Sequence, residues 1–170
     1  MAKHYRRADG SFAGTWVDGA PTDDTLVETP TAPADGAHLW DNASQTWKPK
    51  LAAARKNKIA QVKDRYRAEL NEGMTYLTKL LEIDSGAQND IIAATDTARD
   101  PDTVWNPAFS WRMGDDSFIT LPTTADMILL CRAMKAEVYR LKLNKWLHTD
   151  NIKVLATVEE IEAYDITTGW

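Results

Sequence analysis

Cysteine is nearly absent. Cys131 stands alone, which excludes a disulfide framework and a cysteine metal cluster. Histidine is scarce too. His4, His38 and His148 lie far apart in sequence and none has a partner at metal-ligand spacing, so no metal site and no cofactor are expected. Long apolar runs are missing: no stretch of about 18 apolar residues occurs, and no membrane-spanning helix is expected. The basic start Met1-Ala2-Lys3-His4-Tyr5-Arg6-Arg7 leads into no apolar segment, so no signal peptide is expected. The net charge of −5 gives no electrostatic footprint for nucleic acid. Neither phosphate-cradling glycine loop, G-x-x-x-x-G-K-[ST] or G-x-G-x-x-G, is present, and neither is H-E-x-x-H.

What remains is enough for a core. With 170 residues, 44% of them apolar and 26% charged, the composition is that of a folded chain that needs no staples. It is not uniform, and a boundary falls at Lys48–Lys50. Residues 1–49 hold Pro21, Pro30, Pro33 and Pro49 and no long apolar stretch. They read as a thin, extended β-hairpin docking segment. Three Asp-Gly pairs, at Asp9, Asp18 and Asp35, are hairpin-turn dipeptides, because glycine takes positive φ freely. Residues 20–35, acidic and rich in Pro and Thr, read as an extended linker. Leu39-Trp40 and Thr46-Trp47 bracket a turn centred on Ala43-Ser44, which sets Trp40 opposite Trp47. So few large aliphatics make a weak core, so this segment is expected to need a partner surface.

Residues 50–170 read as a mostly helical domain, giving an α+β protein overall. Leu51, Ile59, Val62, Tyr66 and Leu70 recur near helical spacing, and Gly73 stops that helix. Met74–Ile83 reads as extended. Ser85-Gly86-Ala87-Gln88 fits a capping box with Ser85 as the cap, opening a short helix to about Ala98. A hairpin spans residues 109–121, with Phe109–Met113 and Ser117–Leu121 flanking Gly114-Asp115-Asp116. Thr123…Asp126 is a second box, opening a long helix to about His148. Thr157…Glu160 is a third, before a short helix ending near Tyr164.

The long helix carries two apolar stripes at 100° per residue. Met127, Leu130, Cys131, Met134, Val138 and Leu141 form one. Ile128, Leu129, Ala136, Tyr139, Leu143, Trp146 and Leu147 form the other. A surface helix of a monomer normally needs one. The second stripe therefore predicts self-association as a dimer or trimer, with Ile128, Tyr139, Leu143 and Trp146 as its contact residues. The rival arrangement is a central helix with the hairpin on one side and the first helix on the other.

No catalytic residues are expected. Cys131 sits on an apolar helix stripe, where a core thiol is the reading rather than a nucleophile. Asp115-Asp116 lies in a turn, where solvation explains the acids. Glu159-Glu160 lies in a helix first turn, explained by the dipole. No pair of carboxylates is placed in a cleft for glycan hydrolysis. The seven tryptophans are the unusual feature. Trp105, Trp111 and Trp146 read as core, whereas Trp16, Trp40 and Trp47 are candidate partner-binding residues. A sugar-stacking role for Trp16, Trp40 and Trp47 is a further alternative.

Three pieces in order carry a resemblance. They are the basic Ala-rich helix running into Gly73-Met74-Thr75-Tyr76, the hairpin Trp111-Arg112-Met113-Gly114-Asp115-Asp116-Ser117-Phe118-Ile119-Thr120-Leu121, and the closing Thr157-Val158-Glu159-Glu160-Ile161-Glu162-Ala163-Tyr164. Residues 50–170 resemble a domain of uncharacterised function found at the C-terminal end of tailed-bacteriophage tail, tail-fibre and fibre-assembly proteins. Trp40…Trp47-Lys48-Pro49 is similar to the stretch that precedes it in small tail proteins. Such domains often place Asn-Gly soon after the Thr-Tyr strand; here Thr78-Lys79 stands there, so that strand is expected to be longer or differently turned. The resemblance implies a non-enzymatic structural protein of the virion tail, made in the host cytoplasm. It would be a baseplate or tail-fibre-associated component, binding other tail or fibre proteins but neither nucleic acid nor membrane. The alternative is a tail-fibre assembly chaperone. No catalytic residue comes with the family.

Overall fold

In the computed structural model, which describes residues 2–17, 19 and 21–170, the chain is an α+β protein, with five strands first and then a mostly helical part that holds two short hairpins. It divides into two compact units, Met1–Lys58 with Ile152–Tyr164, and Ile59–Asn151 with Asp165–Trp170.

The first unit begins with β1 (Lys3–Arg6) and β2 (Phe12–Trp16), paired antiparallel. Their turn follows from Asp9-Gly10. The Asp9 carboxylate accepts from the Ser11 N–H and hydroxyl at 2.9 and 2.7 Å, and Gly10 takes φ +81°. A Cβ there would stand 3.2 Å from the Trp40 carbonyl oxygen, so both space and backbone angle favour glycine. Asp18, in the second Asp-Gly pair, lies outside the described residues.

Residues 20–35 are not simply a linker. β3 (Val27–Thr29) pairs with the free edge of β1, giving the order β2-β1-β3. The pairing satisfies backbone groups that β1 would otherwise leave open, and Thr29, the last residue of β3, is buried. β4 (His38–Asp41) and β5 (Thr46–Pro49) form the expected hairpin with Trp40 opposite Trp47. The Trp40 N–H donates to the Gly10 carbonyl at 2.9 Å.

The chain itself supplies part of the surface that these strands share. The unit includes the first turns of α1 (Leu51–Glu72) and also α4 (Val158–Ala163). Lys48 Nζ reaches Glu159 at 2.6 Å, Arg55 donates to the Leu155 carbonyl at 2.6 Å, and Lys58 donates to the Glu162 carbonyl at 3.1 Å. The Thr157 box closes at both ends, with the Thr157 hydroxyl accepting from the Glu160 N–H and the Glu160 carboxylate accepting from the Thr157 N–H.

The second unit departs from the sequence reading at its start. Met74–Ile83 is not one extended stretch. β6 (Met74–Tyr76) and β7 (Lys79–Leu81) fold back on each other, Tyr76 opposite Lys79. The two-residue turn is Leu77-Thr78, with φ of +47° and +69°, the left-handed pair that a tight hairpin demands. Gly73, at φ +79°, ends α1, and a Cβ on it would lie 2.6 Å from the Leu81 carbonyl oxygen.

α2 (Ser85–Arg99) is capped by Asp84 rather than Ser85. The Asp84 carboxylate accepts from the Gly86 and Ala87 N–H groups at 2.7 and 2.9 Å. Gln88 donates instead to the Ile83 carbonyl. β8 (Ser110–Arg112) and β9 (Phe118–Thr120) form the expected hairpin, Trp111 opposite Ile119. α3 spans Thr124–Val154, six residues past the expected end at His148, because Thr149-Asp150-Asn151 contains neither glycine nor proline to stop it. Thr123 and Asp126 cap it reciprocally, at 2.9 and 3.2 Å.

The core of this unit gathers Leu81, Ile83, Ile91, Met113, Leu121 and the first stripe of α3: Met127, Leu130, Cys131, Met134 and Leu141 are all at most 1% exposed. Trp105 and Trp111 pack partly buried against it, and the Trp105 indole N–H donates to the Leu121 carbonyl at 2.9 Å. Trp146 is not core. It is 45% exposed, since it points with the second stripe.

Candidate interaction surface

The second stripe of α3 is open. Leu129, Tyr139, Leu143, Trp146 and Leu147 are between 45% and 58% exposed, and Ile128 is half-buried. The central-helix arrangement therefore does not describe α3: its inner side is filled and its outer side is uncovered within the chain. Lys142 Nζ lies 5.3 Å from the Trp146 ring centroid, a cation over an aromatic face. Arg140 is held along the helix by the Glu137 carboxylate at 2.9 and 2.6 Å; the guanidinium's hydrogen bonds hold that carboxyl below its ordinary range. Folded monomers rarely leave contiguous apolar patches of this size open, which makes the strip the candidate interaction surface.

A groove of about 550 Å³ lies beside β8. Phe109 and Trp111 form its aromatic wall, and Glu82, Asp90, Arg112 and Asp116 bring charge to it. Arg112 and Asp116 pair with each other at 2.5 Å. The Asp115 carboxylate accepts from the Ser117 hydroxyl and N–H, which holds its pKa below the usual range. The turn itself thus occupies both acids of Asp115-Asp116. Among the described residues no cluster of His, Cys, Asp or Glu could hold a metal ion, and no helix is long and apolar enough to cross a membrane.

The three N-terminal tryptophans pack in two aromatic groups. Trp16 meets Tyr5 edge-on at 5.2 Å, and Trp47 meets both Phe12 at 5.6 Å and Trp40 at 5.4 Å. Trp40 is 8% exposed and has little ring surface left to offer a partner. Trp16 and Trp47 are half-buried, and the Trp47 indole N–H is engaged by the Thr31 carbonyl at 2.8 Å. Cys131, 1% exposed, is a buried free thiol.

One family model, described as Domain of unknown function (DUF4376), matches residues 53–168. The chain belongs to the DUF4376 family. The matched residues contain all of the α3 strip and the β8 groove, whereas β1–β5 lie outside them. No curated protein and no solved structure matches the chain.

Proposed function

We propose that this member of the DUF4376 family is a non-enzymatic structural component of a bacteriophage tail, associated with the baseplate or tail fibre and acting by docking onto protein. The observation that carries the docking part is the open outer face of α3. Five large apolar side chains stand exposed along one helix whose opposite side is already buried. Burying apolar area is the main favourable term in association, and this strip supplies it. The tail assignment rests on the ordered sequence resemblance of residues 50–170.

The reading is tested by carrying Leu143→Asp in the phage whose genome encodes this chain. The substitution places a charge in the middle of the strip, where its desolvation opposes docking. The variant is expected to stay folded and soluble, and particles are expected to lack it. Incorporation of the variant at the level of the original chain contradicts docking through α3.

A further inference from the structure

The outer face of α3 is self-complementary. We propose that two copies of this chain pair through α3, antiparallel, about a twofold axis level with Leu141. The proposal rests on reading that face as a docking face and names its occupant.

From Leu129 to Asp150, the residues on the outer side recur at alternating spacings of three and four: Leu129, Arg132, Ala136, Tyr139, Leu143, Trp146, Asp150. That is the repeat of a helix seam. The side opposite it carries Met134, Leu141 and His148, at most 5% exposed. The seam therefore points away from the chain's own core and stays on one side over about 30 Å of helix.

A twofold axis makes each contact occur twice, residue i on residue j and j on i. With the axis at Leu141, Tyr139 faces Leu143, Ala136 faces Trp146, Arg132 faces Asp150, and Leu129 faces Lys153 at the end of the seam. The smallest side chain of the seam meets the largest, and Arg132 meets Asp150, a residue that also interacts within its own chain.

Other registers lose these matches. A shift of one heptad toward the helix start sets Arg132 against Leu143. The opposite shift sets Tyr139 against Asp150. A parallel pair opposes Arg132 to Arg132 and Asp150 to Asp150, and like charges directly opposed are unfavourable. Arg140 and Lys142 flank the axis. Arg140 is bound to Glu137 and Lys142 lies over Trp146, so both heads are drawn along their own helix. The five large exposed side chains are about half open, so two copies together bring on the order of 1,000 Å² to the pair, the lower bound for a specific interface.

Sedimentation equilibrium of the full chain at rising micromolar concentration tests the pairing. The expected result is a reversible dimer of twice the 19.1 kDa chain mass. Leu143→Asp is expected to weaken it by about tenfold or more with the thermal melt of the monomer preserved. Should that variant unfold, Ala136→Trp, at an exposed position, sets two indoles against each other and is expected to weaken the dimer by a similar factor. Arg132→Asp and Asp150→Arg are each expected to weaken pairing, and together to restore it to within about threefold, the signature of a direct contact. A monomer at the highest concentration, or a trimer, overturns the proposal. Additive weakening in the double exchange overturns the antiparallel register. A monomer that is still built into particles fails this proposal and leaves the docking reading standing. A dimer missing from particles does the reverse.

Discussion

Trp40 stands directly opposite Trp47 in the β4–β5 ladder, and the two rings meet at 5.4 Å with their planes 73° apart. Edge-to-face packing suits the ring quadrupoles and adds about 0.5–1.5 kcal/mol beyond area burial. The pair also joins Phe12 of β2 to the hairpin through Trp47. Trp40 thus holds the first unit together rather than waiting for a ligand.

Trp40→Ala is accordingly expected to destabilise the first unit by about 3–5 kcal/mol, as truncation of a buried tryptophan does. Urea unfolding followed by tryptophan fluorescence measures this. A variant with unchanged stability but lost partner or glycan binding contradicts the packing role.

The Leu77-Thr78 turn is a second site where the geometry predicts an outcome. Both residues take positive φ, which costs an L residue about 1–2 kcal/mol, and Thr is β-branched. Replacing the pair with Asn-Gly, the residues that such a turn favours, is expected to stabilise the second unit by about 1–2 kcal/mol, less the unfolded-state entropy that glycine adds. The midpoint of urea unfolding should rise at unchanged slope. A lower midpoint means that Leu77, 66% exposed, makes a contact worth more than the strain.

These two sites show which parts of the fold were legible in the sequence. The Trp40–Trp47 hairpin was readable because its strands, turn and ring spacing are local. The Thr123–Asp126 and Thr157–Glu160 caps were readable because both partners lie within four residues. Asp84 was missed because Ser85, one residue later, is an equally good acceptor with a glutamine at the right spacing. The β6–β7 turn was missed because Leu-Thr carries no turn signature. β3 was missed because its pairing with β1 spans more than twenty residues and leaves no period in a three-residue strand. Of the candidate surface, the two stripes of α3 were visible in the helical period. The second is legible there as the stripe in need of a partner, whereas the exposure of Trp146 is not, since that depends on what β7, α2 and β8–β9 cover. Trp146 was read as core for that reason.

Asp41 gives a pH-dependent test. Its carboxyl is held well below the ordinary carboxylate range, first by the Ser44 hydroxyl at 2.6 Å, then by Lys48 at 3.0 Å and by the Ala43 N–H. Lys48 is raised in turn, first by Glu159 and then by Asp41. A carboxylate depressed in the folded state stabilises above its unfolded pKa of about 3.9, and that stabilisation fades as pH falls through the folded value. Asp41 is therefore expected to stay ionised at pH 3 in a carboxyl NMR titration, and Ser44→Ala to move its midpoint upward. A midpoint near 3.9 in the unaltered chain contradicts the contact network.

Quantitative mass spectrometry of purified particles, from the phage whose genome encodes this chain, tests the tail-component account most directly. The account predicts the chain in intact virions at a fixed, integral copy number that survives stringent purification. Its absence from particles, with the chain abundant in the infected cell, contradicts the account.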